Sequence, residues 1–170
     1  MSGRIDGQPC SVQLSDRAVT VSLGHDEVLA WDLGGRLYSA WRDGHTVRRG
    51  LSGRALEKWT DGNGRHRRSL DAASLAPHVA RASARAAAVQ ASFAHTPAVC
   101  AALGRAAAFD AAAAEADAAA FRAIYGEVGM LPPDQYLALV VQVTAGCSFG
   151  TCTFCDLYQH AFSVRDDASF

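Results

Sequence analysis

Several things are scarce in this sequence. Lys58 is the only lysine beside fifteen arginines, and the formal net charge is −1, so no global field selects nucleic acid or an anionic membrane. The first sixteen residues contain no apolar stretch typical of a secretory signal. The longest apolar run near the cysteines, residues 137–141, is too short to span a bilayer. These absences predict a cytoplasmic protein without membrane contact, whose thiols stay reduced.

Residues 10 to 70 have the pattern of a β meander. Short runs of alternating polarity are separated by turn residues, among them Asp43-Gly44 and the stretch from Asp61 to Gly64. Asp-Gly between two such runs indicates a hairpin, because the favoured turns need positive φ. We expect five or six antiparallel strands, with Trp31, Trp41 and Trp59 forming the core of the sheet.

Residues 71 to 126 are rich in alanine and lack β-branched runs, which predicts helices but not how they pack. Thr96 and Pro97 suit a helix start, Asp110 suits a second cap, and Gly126 suits a helix end. The sequence therefore divides into a β module (1–70), an Ala-rich helical connector (71–130) and a final segment (131–170).

The final segment contains the apolar run "YLALVVQVT", residues 136–144, which is typical of a strand buried on both faces in a parallel sheet. Only a short tail follows, and one such strand does not make a domain. We therefore expect this segment to open a larger fold, and the chain to be a fragment of a longer protein.

Three cysteines follow that run with the spacing Cys147-x4-Cys152-x2-Cys155. Clustered cysteines in a reducing compartment are metal ligands or catalytic groups before they are disulfides. Three thiolates can hold three irons of a [4Fe–4S] cluster and leave the fourth iron open. Gly146 and Gly150 give the loop the freedom to wrap a cluster.

The stretch "LPPDQYLALVVQVTAGCSFGTCTFCDLY", with Phe154 just before the last cysteine, resembles the start of a radical S-adenosylmethionine (SAM) domain. The resemblance runs from about Pro132 to Arg165. It implies that the three cysteines bind a [4Fe–4S] cluster, that SAM binds its open iron, and that Phe154 lies near the adenine. It further implies a 5′-deoxyadenosyl radical acting on an unknown substrate, and an external one-electron donor of the flavodoxin or ferredoxin type.

The fold class predicted from these observations is an α+β N-terminal module, an antiparallel β meander plus Ala-rich helices, followed by the first βα element of a partial (βα)6 radical SAM barrel. Two features depart from the family. Its commonest spacing is C-x3-C-x2-C, and its usual Gly-Gly-Glu-like motif is missing here. The chain alone is therefore expected to be inactive, and the full-length protein to be the enzyme.

Other interpretations of the cysteines stay open. His160 makes a structural Cys3His zinc site arithmetically possible. A plant-type [2Fe–2S] loop has the same spacing but needs a fourth cysteine. Three structural thiols without metal are the remaining alternative. Cys10, Cys100, His25, His45 and His66 receive no catalytic role.

Residues 46 to 68 are locally basic, with seven cations and two carboxylates. This hairpin region is either a nucleic-acid-binding surface or a solvated sheet face that discourages edge pairing. The alternative function is therefore a non-catalytic binding module, which has a zinc site at the cysteines and a nucleic-acid-binding surface on this hairpin region. The cations are Arg48, Arg49, Arg54, Lys58, Arg65, Arg67 and Arg68.

Overall fold

The structure is a computed structural model that describes residues 1–5, 7–125, 141–154 and 161–166. Its main feature is an antiparallel sheet of eight strands in chain order, with β1 and β8 at the edges. The strands are β1 (Ser2–Ile5), β2 (Gln8–Leu14), β3 (Ala18–Leu23), β4 (Glu27–Asp32), β5 (Leu37–Arg42), β6 (His45–Arg49), β7 (Ala55–Asp61) and β8 (Gly64–Leu70).

The strand turns follow the turn chemistry of the sequence. Asp43 and Gly44 have φ of 48° and 82° and connect β5 to β6 as a two-residue turn. Asp61 pairs with Gly64 across β7 and β8, and its carboxylate accepts a hydrogen bond from the Asn63 amide at 2.8 Å. Both predicted hairpins are confirmed, because a tight turn with positive φ is encoded by very few residues.

Three helices follow the sheet: α1 (Ala72–Ser92), α2 (Pro97–Ala108) and α3 (Ala111–Ile124). Asp71 caps α1 by accepting from the Ser74 amide at 2.8 Å, and Asp110 caps α3 by accepting from the Ala113 amide at 2.8 Å. Pro97 occupies the first turn of α2, where a missing N–H costs nothing.

Helix α1 lies across the strands. It begins directly after β8, its middle contacts β5, and the Phe93 ring at its end lies against Gly3 of β1. Twenty-one residues make about 31 Å of helix. Seven strand spacings amount to about 34 Å, so one helix covers the sheet from edge to edge.

The buried side of α1 is a narrow stripe of small and medium residues facing the apolar side of the sheet. Ala82 and Ala86 at its centre are completely buried, which lets the helix backbone approach the strands closely. The stripe comprises Leu75, Val79, Ala82, Ala86 and Val89. The core also contains Val12, Val19, Val21, Leu29, Trp31, Leu37, Val47, Phe93 and Leu103.

Helix α2 packs on α1 and approaches the turn between β4 and β5. Gly35 in that turn has φ of 90°, and a Cβ there would lie 2.5 Å from the Arg105 carbonyl. The Arg105 Nε donates to the Leu33 carbonyl at 2.7 Å. This close approach requires glycine at position 35.

Asp117 joins α3 to the sheet by two ion pairs. It accepts from Arg36 Nε at 2.7 Å and lies 3.3 Å from a terminal nitrogen of Arg49. The Arg49 side chain is 2% exposed, donates to the Ala114 carbonyl at 2.8 Å, and lies over the Phe109 ring. A buried guanidinium needs such partners, because an unpaired buried charge is costly.

The predicted fold class is wrong. The structure is an eight-stranded antiparallel meander followed by three helices, with no alternation of strands and helices of the kind that builds a (βα)6 barrel. In the final segment, β9 (Thr144–Ala145) pairs with β10 (Ser163–Val164) in antiparallel register. A βα element would lead to a parallel neighbour through a crossover helix, whereas here the chain returns beside the same strand.

Residues 126–140, including most of the predicted buried strand and Gly126, lie outside the described residues.

The tryptophans do not share one environment. Trp31 is completely buried on the helix-facing side, but Trp41 pairs with Val28 on the opposite side and is half-buried, as is Trp59. The prediction of a common tryptophan core is therefore wrong for Trp41, because register decides the side.

By backbone packing the chain has two compact units, Met1–Ala119 and Ala120–Phe170. The domain division at residues 70 and 130 stays a prediction. Among the described helices, none combines the length and apolar character that crossing a bilayer requires.

Candidate functional site

The three-cysteine loop begins directly after β9. Cys147 and Cys152 are half-buried free thiols, and Gly146 and Gly150 have φ of 70° and 57°. The backbone on the far side of the loop is held to the strand, since the Arg165 amide donates to the Val143 carbonyl at 3.0 Å. The two ends of the loop are therefore joined by a short antiparallel pair.

The Cys147 sulfur accepts hydrogen bonds from two backbone amides. Hydrogen bonds from the amides of Gly150 and Phe149 lower the pKa of the Cys147 thiol below its usual value. Gly150, which has a φ of 57°, lies in this turn. The thiolate is the form that binds metal, so this environment favours a ligand role.

The donor set in this loop fits an iron–sulfur cluster in its chemistry. Thiolate sulfur is a soft ligand that selects iron–sulfur clusters, zinc or copper(I). The N–H groups of Phe149 and Gly150 provide the hydrogen bonds to sulfur that tune such a centre.

The other residues predicted for this site are one exposed aromatic ring and residues that lie outside the described part of the chain. Phe154, whose ring was predicted to lie near an adenine, is 90% exposed, and no group of the described residues covers this ring. Cys155 and His160 lie outside the described residues. Within the described ranges, no three histidine, cysteine or acidic side chains come together as a metal site.

A second candidate site lies in the first unit, at one end of the helix-facing side of the sheet. The aligned residues Arg42, His45, Trp59 and His66 form one row across β5 to β8. The Trp59 ring is stacked between the two imidazoles, with centroid distances of 5.6 Å to His45 and 5.2 Å to His66. The centre of that side is filled mainly by apolar residues of the core.

Glu57 lies in the next row and is 5% exposed. One carboxylate oxygen is 2.9 Å from His45 Nδ1, and the other accepts from Arg68 Nε at 2.6 Å. Burial raises the pKa of Glu57, but the hydrogen bonds and charges of His45 and Arg68 outweigh it, so the net pKa is lowered. Glu57 is therefore a fixed anion that orients the His45 ring.

The sequence analysis assigned no role to His45 or His66, counted Glu57 only toward the local charge, and did not single out His78. A signal was present in the alternation of β7, "ALEKWTD", where Glu57 stands at an inward position between Ala55 and Trp59. A charged residue at an inward position is buried only with partners, and it therefore indicates a polar site.

The basic residues of the hairpin region separate onto the two sides of the sheet. Arg49 and Arg68 are on the helix-facing side and hold Asp117 and Glu57. The outer side of β5 to β8 keeps four exposed cations and has no carboxylate at its outward positions. They are Arg48, Lys58, Arg65 and Arg67.

No family model, no curated protein and no solved structure matches this chain.

The thiol environments predict different alkylation profiles. In the metal-free protein, iodoacetamide should modify Cys147 with a midpoint below the usual thiol value of about pH 8.5, because its thiolate is stabilised by two amides. Cys10 is the internal control: its burial raises its pKa, and it should stay unmodified while the protein is folded. Peptide mass mapping over a pH series measures both, and a Cys147 midpoint at or above 8.5 contradicts the assignment.

Proposed function

We propose that Cys147, Cys152 and Cys155 bind a [4Fe–4S] cluster with one open iron, and that the protein is a radical SAM enzyme. The observation that carries the proposal is the spacing of three cysteines within nine positions, in a loop where Gly146 and Gly150 have positive φ and two backbone amides donate to the Cys147 sulfur. The proposal depends on the chemistry of this loop alone, since the barrel fold was wrong.

The residues of the loop have separate tasks in this function. The cysteines hold the cluster as thiolates, and the amides of Phe149 and Gly150 stabilise the sulfur charge. The exposed Phe154 ring is available to stack on the adenine of SAM. When bound, the cluster supplies the electron that cleaves the sulfonium and yields a radical for hydrogen abstraction. We place this chemistry in the reducing cytoplasm, with a flavodoxin- or ferredoxin-type donor.

Anaerobic reconstitution with iron and sulfide tests the cluster. The wild-type protein should bind about four irons and four sulfides, and the EPR signal of the reduced cluster should change on addition of SAM. Cys147→Ala should lose the cluster, because three thiolates are the minimum for this site. Cys100→Ala in α2 is the matched control and should keep it.

Three results would contradict the proposal in different ways. One zinc per chain without visible absorption, lost in His160→Ala, would indicate the Cys3His alternative. A [2Fe–2S] spectrum would indicate the ferredoxin type. A [4Fe–4S] signal that SAM leaves unchanged would retain the cluster and reject SAM as its ligand.

A second candidate function is binding of single-stranded nucleic acid by the outer side of β5 to β8. It is supported by four exposed cations with no outward carboxylate, and by the half-buried Trp41 in the same row as Lys58 and Arg67. Cations that follow a phosphate backbone and an aromatic ring that stacks on a base are the two parts of such a surface.

The double variant Lys58→Gln, Arg67→Gln tests this surface. Binding of a labelled oligonucleotide, followed by fluorescence anisotropy over a salt series, should weaken, and the slope of log K against log salt should fall by about 0.7 per lost contact. Arg17→Gln, an exposed cation between β2 and β3, should leave both unchanged. No binding of the wild-type protein at low salt would exclude this function.

A further inference from the structure

Strand β8 (Gly64–Leu70) forms one free edge of the eight-stranded sheet. It pairs with β7 over seven residues without a register shift, and among the described residues no strand lies on its other side. Strand β1 at the opposite edge has only four residues. A long and regular edge strand presents a row of unpaired backbone groups to which another chain can add as a strand.

The turn between β7 and β8 determines which backbone groups the β8 edge leaves unpaired. It has a two-residue loop that the pair Asp61 and Gly64 closes. The closing pair of such a hairpin exchanges both backbone hydrogen bonds, and bonded and non-bonded pairs alternate from there along the strands. The N–H and C=O groups of Arg65, Arg67 and Ser69 therefore point away from β7.

The side chains of the same three residues lie on the outer side of the sheet and are exposed. Arg65 and Arg67 form no ion pair within the part of the chain that the structure describes. The residues opposite the three on β7 are Thr60, Lys58 and Leu56, so the adjacent strand adds a third cation and no carboxylate on this side.

The carboxylates of β7 point to the helix-facing side, where each has its own partners. Glu57 binds His45 and Arg68, and Asp61 lies 2.9 Å from His66 Nε2. They are therefore not available to the cations on the outer side. The β8 edge combines unpaired backbone groups with a positive charge that its own sheet does not balance.

A second copy of β8 is a poor partner for this edge. In an antiparallel pair centred on Arg67, this side chain would lie directly opposite its own copy. Like charges directly opposite each other destabilise a strand pair, and charged edge residues are one way in which proteins prevent association through their edges. The charge of the edge thus selects against itself and favours a strand of opposite sign.

We propose that the β8 edge binds an extended acidic peptide as an additional strand, antiparallel to β8, with carboxylates opposite Arg65 and Arg67. In strand addition, main-chain hydrogen bonds supply affinity, and alternate side chains supply specificity. Residues directly opposite each other point to the same side with Cβ atoms about 5 Å apart, so carboxylates at alternate positions reach both arginines. Every pair in this sheet is antiparallel. The edge needs no residue of the cysteine loop.

Amide hydrogen exchange of the full chain, followed by NMR, tests strand addition. The probe is the end-blocked peptide Thr-Val-Glu-Thr-Glu-Val-Thr, which places its two carboxylates opposite the arginines. With free peptide at about ten times its Kd, exchange of the Arg65, Arg67 and Ser69 amides should slow about tenfold, because only the unbound fraction exchanges. The amides of β1 are the internal control and should keep their rates.

A double variant and a modified peptide separate the two parts of the interaction. Arg65→Gln, Arg67→Gln should weaken peptide binding about fivefold or more, because two opposite-charge pairs are lost. Arg48→Gln is the matched control: Arg48 is an exposed cation on the same side, but on β6 and away from the edge, and the change should be less than about twofold. N-methylation of both glutamates in the peptide keeps the charge but removes two backbone donors, and it should abolish binding.

Four outcomes would overturn the proposal. These are no slower exchange of the three edge amides, undiminished binding of the N-methylated peptide, equal losses in the double variant and Arg48→Gln, or equally tight binding of a peptide with lysine in place of glutamate. An oligonucleotide that slowed exchange of the edge amides as much as the peptide would also contradict strand addition. The exchange and N-methylation experiments use the wild-type protein, so they decide the matter even if the double variant does not fold.

Discussion

The structure of the first unit depends on one constraint, the need to cover the apolar side of an open eight-stranded sheet. A sheet of this width exposes far more apolar surface than a stable monomer tolerates. Helix α1 meets the need by crossing all the strands, and its length matches the width of the sheet. Ala82 and Ala86 make the approach close, and α2 extends the cover by packing on α1.

The polar sites of this unit lie where the helices pack over charged residues of the sheet. Glu27, Glu57 and Arg49 are buried on the covered side, and each is paired: Glu27 with two arginines of α1, Glu57 with His45 and Arg68, and Arg49 with Asp117. Removing Asp117 would leave the buried Arg49 guanidinium without a carboxylate and cost about 3–5 kcal/mol. Solvent screens the pairs of Glu27 and Glu57, whose partners are partly exposed, so these pairs add little. The cavity beside Glu57 and His78 lies among these pairs, and the cysteine loop belongs to the second unit.

The features that the sequence predicts correctly are those that one or two neighbouring residues determine. The turn at Asp43-Gly44, the first turn of α2 at Pro97 and the cap at Asp110 are confirmed, because each depends on one or two residues. Strand β1 was not predicted, because its sequence lacks alternating polarity. The predicted core position of Trp41 was wrong, because the pairing register between strands, which the local sequence does not show, decides which side of the sheet this ring occupies. The alanine content of residues 71–126 predicts helices, but it does not show which surface helix α1 covers. The barrel was wrong because it was inferred from the resemblance of a short segment.

The most direct test of this account compares two neighbouring alanines of α1. Ala86 is completely buried against the core and Ala87 is exposed, so Ala86→Leu and Ala87→Leu make the same chemical change on opposite sides of one helix. In urea unfolding, Ala86→Leu should lower the free energy of unfolding by about 1–3 kcal/mol through overpacking. Ala87→Leu should stay within about 0.5 kcal/mol of the wild-type protein. Equal effects of the two substitutions would contradict the claim that α1 covers the sheet.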